Sequence, residues 1–108
     1  MTLGPMNIRD FSGDDVGVLV HAVLGSGKVA VAIDAVDAPA DFGADGQMIG
    51  LLRLDHGVTN PGDSGAPVID RNNQIVGFVV GYATVEEGDG TARSHTFVLP
   101  ARRALDVT

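Results

Sequence analysis

The segment Pro61-Gly62-Asp63-Ser64-Gly65-Ala66-Pro67-Val68 gathers the residue types best suited to chemistry. Two glycines and two prolines crowd one serine into a tight loop, and the apolar pair Val68-Ile69 closes it. Glycine reaches backbone angles closed to other residues and lets main-chain N–H groups approach a ligand. Proline fixes φ and withdraws donors that would invite strand pairing. A loop of this kind can hold one hydroxyl outward with bare N–H groups beside it. A serine nucleophile needs that arrangement, an exposed Oγ with donors aimed at the oxyanion that develops during acyl transfer. The plainer reading of Gly-x-Ser-Gly alone is a polar turn between two strands.

A serine hydroxyl also needs a base to take its proton. The chain offers His21, His56 and His95. His95 shares a strand face with Phe97 and Leu99, which reads as a barrel or pocket-wall position. His56, in the approach to the serine loop, reads as structural or exposed. His21 lies on the outer face of the first strand, where it meets a neighbour's Ser64 only if two copies pair. The three are not at a metal-ligand spacing such as His-x-x-x-His, so neither a metal site nor a cofactor is expected.

The elements around the loop read as short strands. Residues 1–15 carry Asp10, Asp14 and Asp15 around Gly13 and read as an arm or lead-in loop, leaving 16–108 as one domain. Val16–Val23 alternates, with Val16, Val18, Val20 and Ala22 on one face. Its other face, Leu19, His21 and Val23, is also partly apolar, which predicts burial on both sides against a second barrel, a second copy or a partner chain. After the turn Gly25-Ser26-Gly27, Lys28–Val36 points Val29, Val31, Ile33 and Ala35 one way. Pro39 and two glycines make Ala38–Gly46 a loop. Gln47–Asp55 sends Met48, Gly50, Leu52 and Leu54 inward. Beyond the serine loop come Val68-Ile69, the turn Asp70-Arg71-Asn72-Asn73, and a strand over Gln74–Ala83. The acidic loop Glu86–Gly90, a strand over Ser94–Leu99 and a helix opening at Pro100 and reaching Leu105 complete the chain. Six strands with turns between them predict a small all-β antiparallel barrel or sandwich.

Composition limits the function. The chain has 108 residues, enough for one core and short for a two-barrel enzyme of about 200–250 residues. Its net charge of −7 argues against nucleic acid, which is bound by neutralising phosphates with Lys and Arg. No run approaches the roughly 20 apolar residues of a membrane span, no signal peptide is visible, and a soluble protein is expected. Cysteine is absent, so no disulfide supports the fold, and the compartment stays open.

The serine loop with its flanks resembles the chymotrypsin/trypsin-like serine peptidases. Gly50-Leu51-Leu52-Arg53 resembles the strand before the nucleophile loop in the bacterial, streptogrisin-like and high-temperature-requirement-type members. Gln74–Tyr82 resembles the strand that lines the substrate cleft, and Ser94–Pro100 the last strand before a terminal helix. The resemblance implies a six-stranded antiparallel chymotrypsin-type barrel with a short C-terminal helix. It implies Ser64 as nucleophile and the N–H groups of Gly62 and Ser64 as oxyanion donors. Asp63 and Gly65 support the loop, with Arg53, Arg93 or a chain N-terminus as the cation for Asp63. Val58 and Thr59 fall at the pocket base and wall, Val80, Gly81 and Tyr82 on the substrate-pairing segment, and His95 on the far wall. Tyr82 stands where the family usually has glycine, and no acidic residue sits at the pocket base.

Family members have two barrels, and the catalytic histidine and aspartate come from the first. This chain resembles the second barrel only, and no stretch matches the histidine motif. Three readings follow. One is a peptidase barrel whose partner lies elsewhere, acting on a peptide or protein substrate. Another is a self-assembling barrel completed in trans. The third is a non-enzymatic module that binds an extended peptide along Gln74–Tyr82.

Overall fold

A computed structural model describes residues 8–59, 62–86 and 88–104. Pro61, Glu87, Leu105 and the first seven residues of the arm, all used in the sequence reading, lie outside the described residues. Six strands are seen: β1 (Leu19–Leu24), β2 (Gly27–Asp41), β3 (Gln47–Leu54), β4 (Pro67–Ile69), β5 (Ile75–Glu86) and β6 (Ala92–Pro100). They pair antiparallel and close into one barrel in the order β1-β2-β3-β6-β5-β4, followed by a short helix α1 (Ala101–Ala104). The expected all-β barrel with a C-terminal helix is therefore the observed fold. Closure leaves β1 paired on both sides, with β2 and with β4.

Alternation explains the interior. Val20, Ala22, Val31, Ile33, Leu52, Leu54, Val68, Val76, Val79 and Val98 are buried together inside the barrel. Each fully buried aliphatic side chain contributes about 1.5–3 kcal/mol, so β-branched and Leu residues suffice without large rings. Leu51 is also fully buried, and it adjoins Leu52 in sequence. Consecutive strand residues face opposite sides, so Leu51 belongs to a second cluster outside the barrel, with Ala38, Ala40, Ala83 and Phe97.

That second cluster corrects the expected loop at Ala38–Gly46. β2 continues to Asp41, with Ala38 and Ala40 buried between exposed neighbours. Pro39 is tolerated because the β2–β3 register shifts around it, and a bulge demands no ladder donor there. Phe42, at the tip of the hairpin, packs edge-on against Phe97 with ring centroids 5.9 Å apart. Gly50 sits at φ +72° in the same irregular stretch. The Arg103 guanidinium donates to the carbonyls of Ile49 (2.8 Å) and Gly50 (3.0 Å), tying α1 to β3.

Other boundaries shift for local reasons. β1 starts at Leu19, and Val16 is exposed, although Gly17 and Val18 still exchange hydrogen bonds with Ile33. Leu19, predicted to be covered, is 58% exposed, because this face has no second layer in the isolated chain. β5 runs on to Glu86, which the sequence reading gave to the acidic loop. Pro100 ends β6 rather than entering the helix.

Candidate active site

The serine loop leaves β3 and returns into β4, so its ends are fixed by the barrel. Gly62 has φ +98° and Gly65 φ +90°, left-handed angles that favour glycine. The Gly65 N–H donates to the Val79 carbonyl (2.7 Å), and the Ala66 N–H to the Asp63 carbonyl (3.0 Å). Val79 returns a bond to the Ala66 carbonyl at 2.8 Å, which fastens the loop to β5. Ser64 is exposed, and its hydroxyl donates to the Val80 carbonyl at 2.8 Å.

Ser64 and Gly62 line a cleft of about 430 Å³ with Thr59, Val80, Gly81 and Tyr82. The opposite wall comes from the β2–β3 hairpin, through Phe42, Asp45 and Met48. The sequence reading missed Phe42 and Asp45 because Pro39 and the glycines suggested a structureless loop, and it sent Met48 inward, whereas Met48 packs against the outer cluster and lines the cleft. The alternation of Ala38, Ala40 and Phe42 was the available signal. Tyr82 is half-exposed at 48% and lines the cleft.

A buried hydroxyl holds one side of the cleft. Thr96 on β6 is fully buried, and its Oγ1 accepts the Val58 N–H at 3.0 Å. It also shares a hydrogen bond of 3.1 Å with the Thr59 hydroxyl. Thr59 lines the cleft, whereas Val58, expected at the pocket base, packs against the barrel interior and does not line it.

His95 does not reach the cleft. It is 1% exposed, with Nδ1 2.7 Å from the Leu54 carbonyl and 3.8 Å from Asp34 Oδ2. The Leu54 carbonyl on β3 and Asp34 on β2 lie against His95, and the residue expected at the far wall does not line the cleft. His56 is exposed beside Asp55 (3.8 Å), and His21 lines a different cavity. None of the three histidines lines the cleft of Ser64. Asp63 is partly buried. Arg53, one cation considered for it, is engaged by Asp34 at 2.8 Å.

The best-defined carboxylate lies at the far end of β4. Asp70 is 1% exposed and accepts the N–H groups of Asn72 (2.9 Å) and Gln74 (2.8 Å). Arg9 Nη1 adds a third bond at 3.3 Å. Burial pushes the Asp70 carboxyl up, but the two N–H donors and the guanidinium outweigh it and leave it below the usual carboxylate range.

No family model matches the sequence, and no curated protein matches it. Among solved structures, the chain is similar to the apo form of the MamO protease domain from Magnetospirillum magneticum. The TM-score is 0.64 over 94% of this chain at 21% identity. The likeness shows the fold, a chymotrypsin-like protease barrel. The chain spans about half of that domain, 51% of its length.

Proposed function

We propose that this chain is the nucleophile-bearing barrel of a trypsin-like serine peptidase. Ser64 attacks a peptide carbonyl, the N–H groups of Gly62 and Ser64 receive the developing oxyanion, and Asp63 and Gly65 hold the loop in shape. Peptide backbone pairs along Val80–Tyr82, and a side chain enters beside Thr59. On this reading residues 16–108 are the barrel domain and residues 1–15 an N-terminal arm or linker.

The observation that carries this reading is the convergence of Ser64, Gly62 and the Val80–Tyr82 segment on one cleft. The chain is inactive as a monomer on this reading, because Ser64 spends its hydroxyl on a main-chain carbonyl and no histidine lines the cleft. The base comes from a second barrel, a second copy or a partner chain. Once a base approaches, it replaces Val80 as the acceptor and takes the proton as Oγ attacks.

The same Ser64–Val80 bond also favours a second reading, a non-enzymatic module that binds an extended peptide in this cleft. Intact mass after fluorophosphonate treatment separates the two, with Ser64→Ala as control and oligomeric state recorded together. The peptidase reading expects no adduct on the monomer, and one adduct at Ser64 once the partner or oligomer is present. Silence in every assembled state removes the peptidase reading and leaves the binding module.

A further inference from the structure

A second cavity, of about 450 Å³, lies at the other end of β4 from Ser64 and is lined by Arg9, Gly17, Val18, Leu19, His21 and Arg71. It brings three of the chain's basic side chains together in a protein of net charge −7. Beside them, Val16 and Leu19 are large apolar residues left 49% and 58% exposed. We infer that this cavity binds the carboxyl terminus of a peptide that ends in an apolar residue.

The main chain around the cavity is already engaged, so recognition falls to side chains. β1 is paired on both sides, and the Gly17 N–H donates to the Ile33 carbonyl at 2.7 Å. β1 pairs with β4 at His21 and Ala22, so the edge beside the cavity is occupied there. Arg9 is fixed by its bonds to Asp15 (3.2 Å) and Asp70 (3.3 Å) and by the Phe11 ring 4.7 Å from its guanidinium. Those two carboxylates together outweigh its single positive charge, so Arg9 offers an oriented donor and no net charge. Arg71 sits in the exposed turn after β4 and has no ion-pair partner among the described residues, which leaves its charge for a ligand. His21 adds a ring nitrogen from the outer face of β1. A carboxylate is the anion that an arginine fork matches.

The apolar wall decides what carries that carboxylate. In a C-terminal residue, one Cα bears both the carboxylate and the side chain, which sets an anion next to an apolar group. Val18 and Leu19 stand beside the basic groups in the same small volume. A volume of this size suits a ligand of one or two residues, within the ~300–1,000 Å³ of ordinary ligand sites. This also assigns a chemistry to the Leu19/His21 face, where the sequence predicts a partner chain. The inference is independent of Ser64 chemistry.

The test is amide chemical-shift mapping with N-acetyl-leucine as probe and N-acetyl-leucinamide, which lacks the carboxylate, as control. Saturable shifts confined to residues 17–21 and 69–73, at millimolar probe, are expected with the acid and not the amide. Arg71→Glu, an exposed turn substitution, should weaken binding at least tenfold while leaving the rest of the spectrum unchanged. Acetate, which has no apolar group, should bind more weakly than N-acetyl-leucine. Equal shifts with the amide, full binding by Arg71→Glu, no shifts, or shifts only at residues 62–66 and 79–82 would each overturn the inference.

Discussion

The hydroxyl of Ser64 donates to the main-chain carbonyl of Val80 across 2.8 Å. Val80 belongs to the β5 segment that shares the cleft with Ser64, so the bond joins the serine loop directly to that segment. A carbonyl oxygen accepts this hydrogen bond but does not take the proton, so the bond itself does not activate the hydroxyl.

Because the bond is exposed, Ser64→Ala should change stability by no more than about 1 kcal/mol, the usual net worth of one hydrogen bond. Water can replace the hydroxyl at the Val80 carbonyl. Denaturant unfolding of the two proteins checks this. A loss of several kcal/mol would show that Ser64 holds the loop rather than serving as an available nucleophile.

Asp70→Asn should destabilise the barrel by about 1.5–3 kcal/mol at neutral pH, since hydrogen bonds to a charged group are the stronger kind. Asp70 has its carboxyl held low when folded, so the unfolded chain binds the proton more readily. Its stabilisation is therefore full above the unfolded carboxylate value, near pH 4, and is lost as pH falls through the folded value. Unfolding free energy measured from pH 7 to pH 2 should fall less steeply for Asp70→Asn. Parallel curves for the two proteins would remove Asp70 from the acid response.

Gly77→Ala should destabilise by about 1–3 kcal/mol or more, the range for overpacking a tight core. A Cβ on Gly77 would lie 2.3 Å from the Leu99 carbonyl oxygen and 2.6 Å from a Val98 methyl. The first of these is backbone, so relief requires β5 and β6 to separate next to α1. Thermal unfolding together with amide exchange on β6 measures the effect. An unchanged melting temperature would mean that the two strands are less closely apposed.

Much of this barrel is legible in the sequence because its strands obey a period of two. Val20 with Ala22, Val31 with Ile33, and Leu52 with Leu54 fall inside the barrel as their spacing requires. The serine loop is legible for a different reason, since Gly62 and Gly65 both adopt the left-handed angles that glycine permits. Alternation fails where both faces of the sheet are covered. Leu51 and Phe97 are buried in the outer cluster, where Phe42 packs on them, and the short alternation of Ala38, Ala40 and Phe42 is masked by Pro39 and the glycines around it. One cleft wall was hidden for that reason. His95 misled because strand position gives a side chain's face and not what covers that face. The Leu54 carbonyl and Asp34, both remote in sequence, enclose it.

Thr96→Val removes the hydroxyl that receives the Val58 N–H and meets the Thr59 side chain. Valine keeps the shape, so the change isolates the hydrogen bonds from packing. Leaving a partly buried N–H without an acceptor costs about 1–3 kcal/mol. The loss falls on the segment that carries Thr59 into the cleft, so it should appear locally before it appears globally. Amide exchange at Val58 should quicken by about 5- to 150-fold, the ratio that corresponds to that range, with the β1 and β2 amides unchanged. Thr96→Ser restores the hydroxyl and should recover the protection. Equal protection of Val58 in Thr96→Val and the parent would show that the cleft wall is held by packing, and the threonine pair would then have no part in shaping the site.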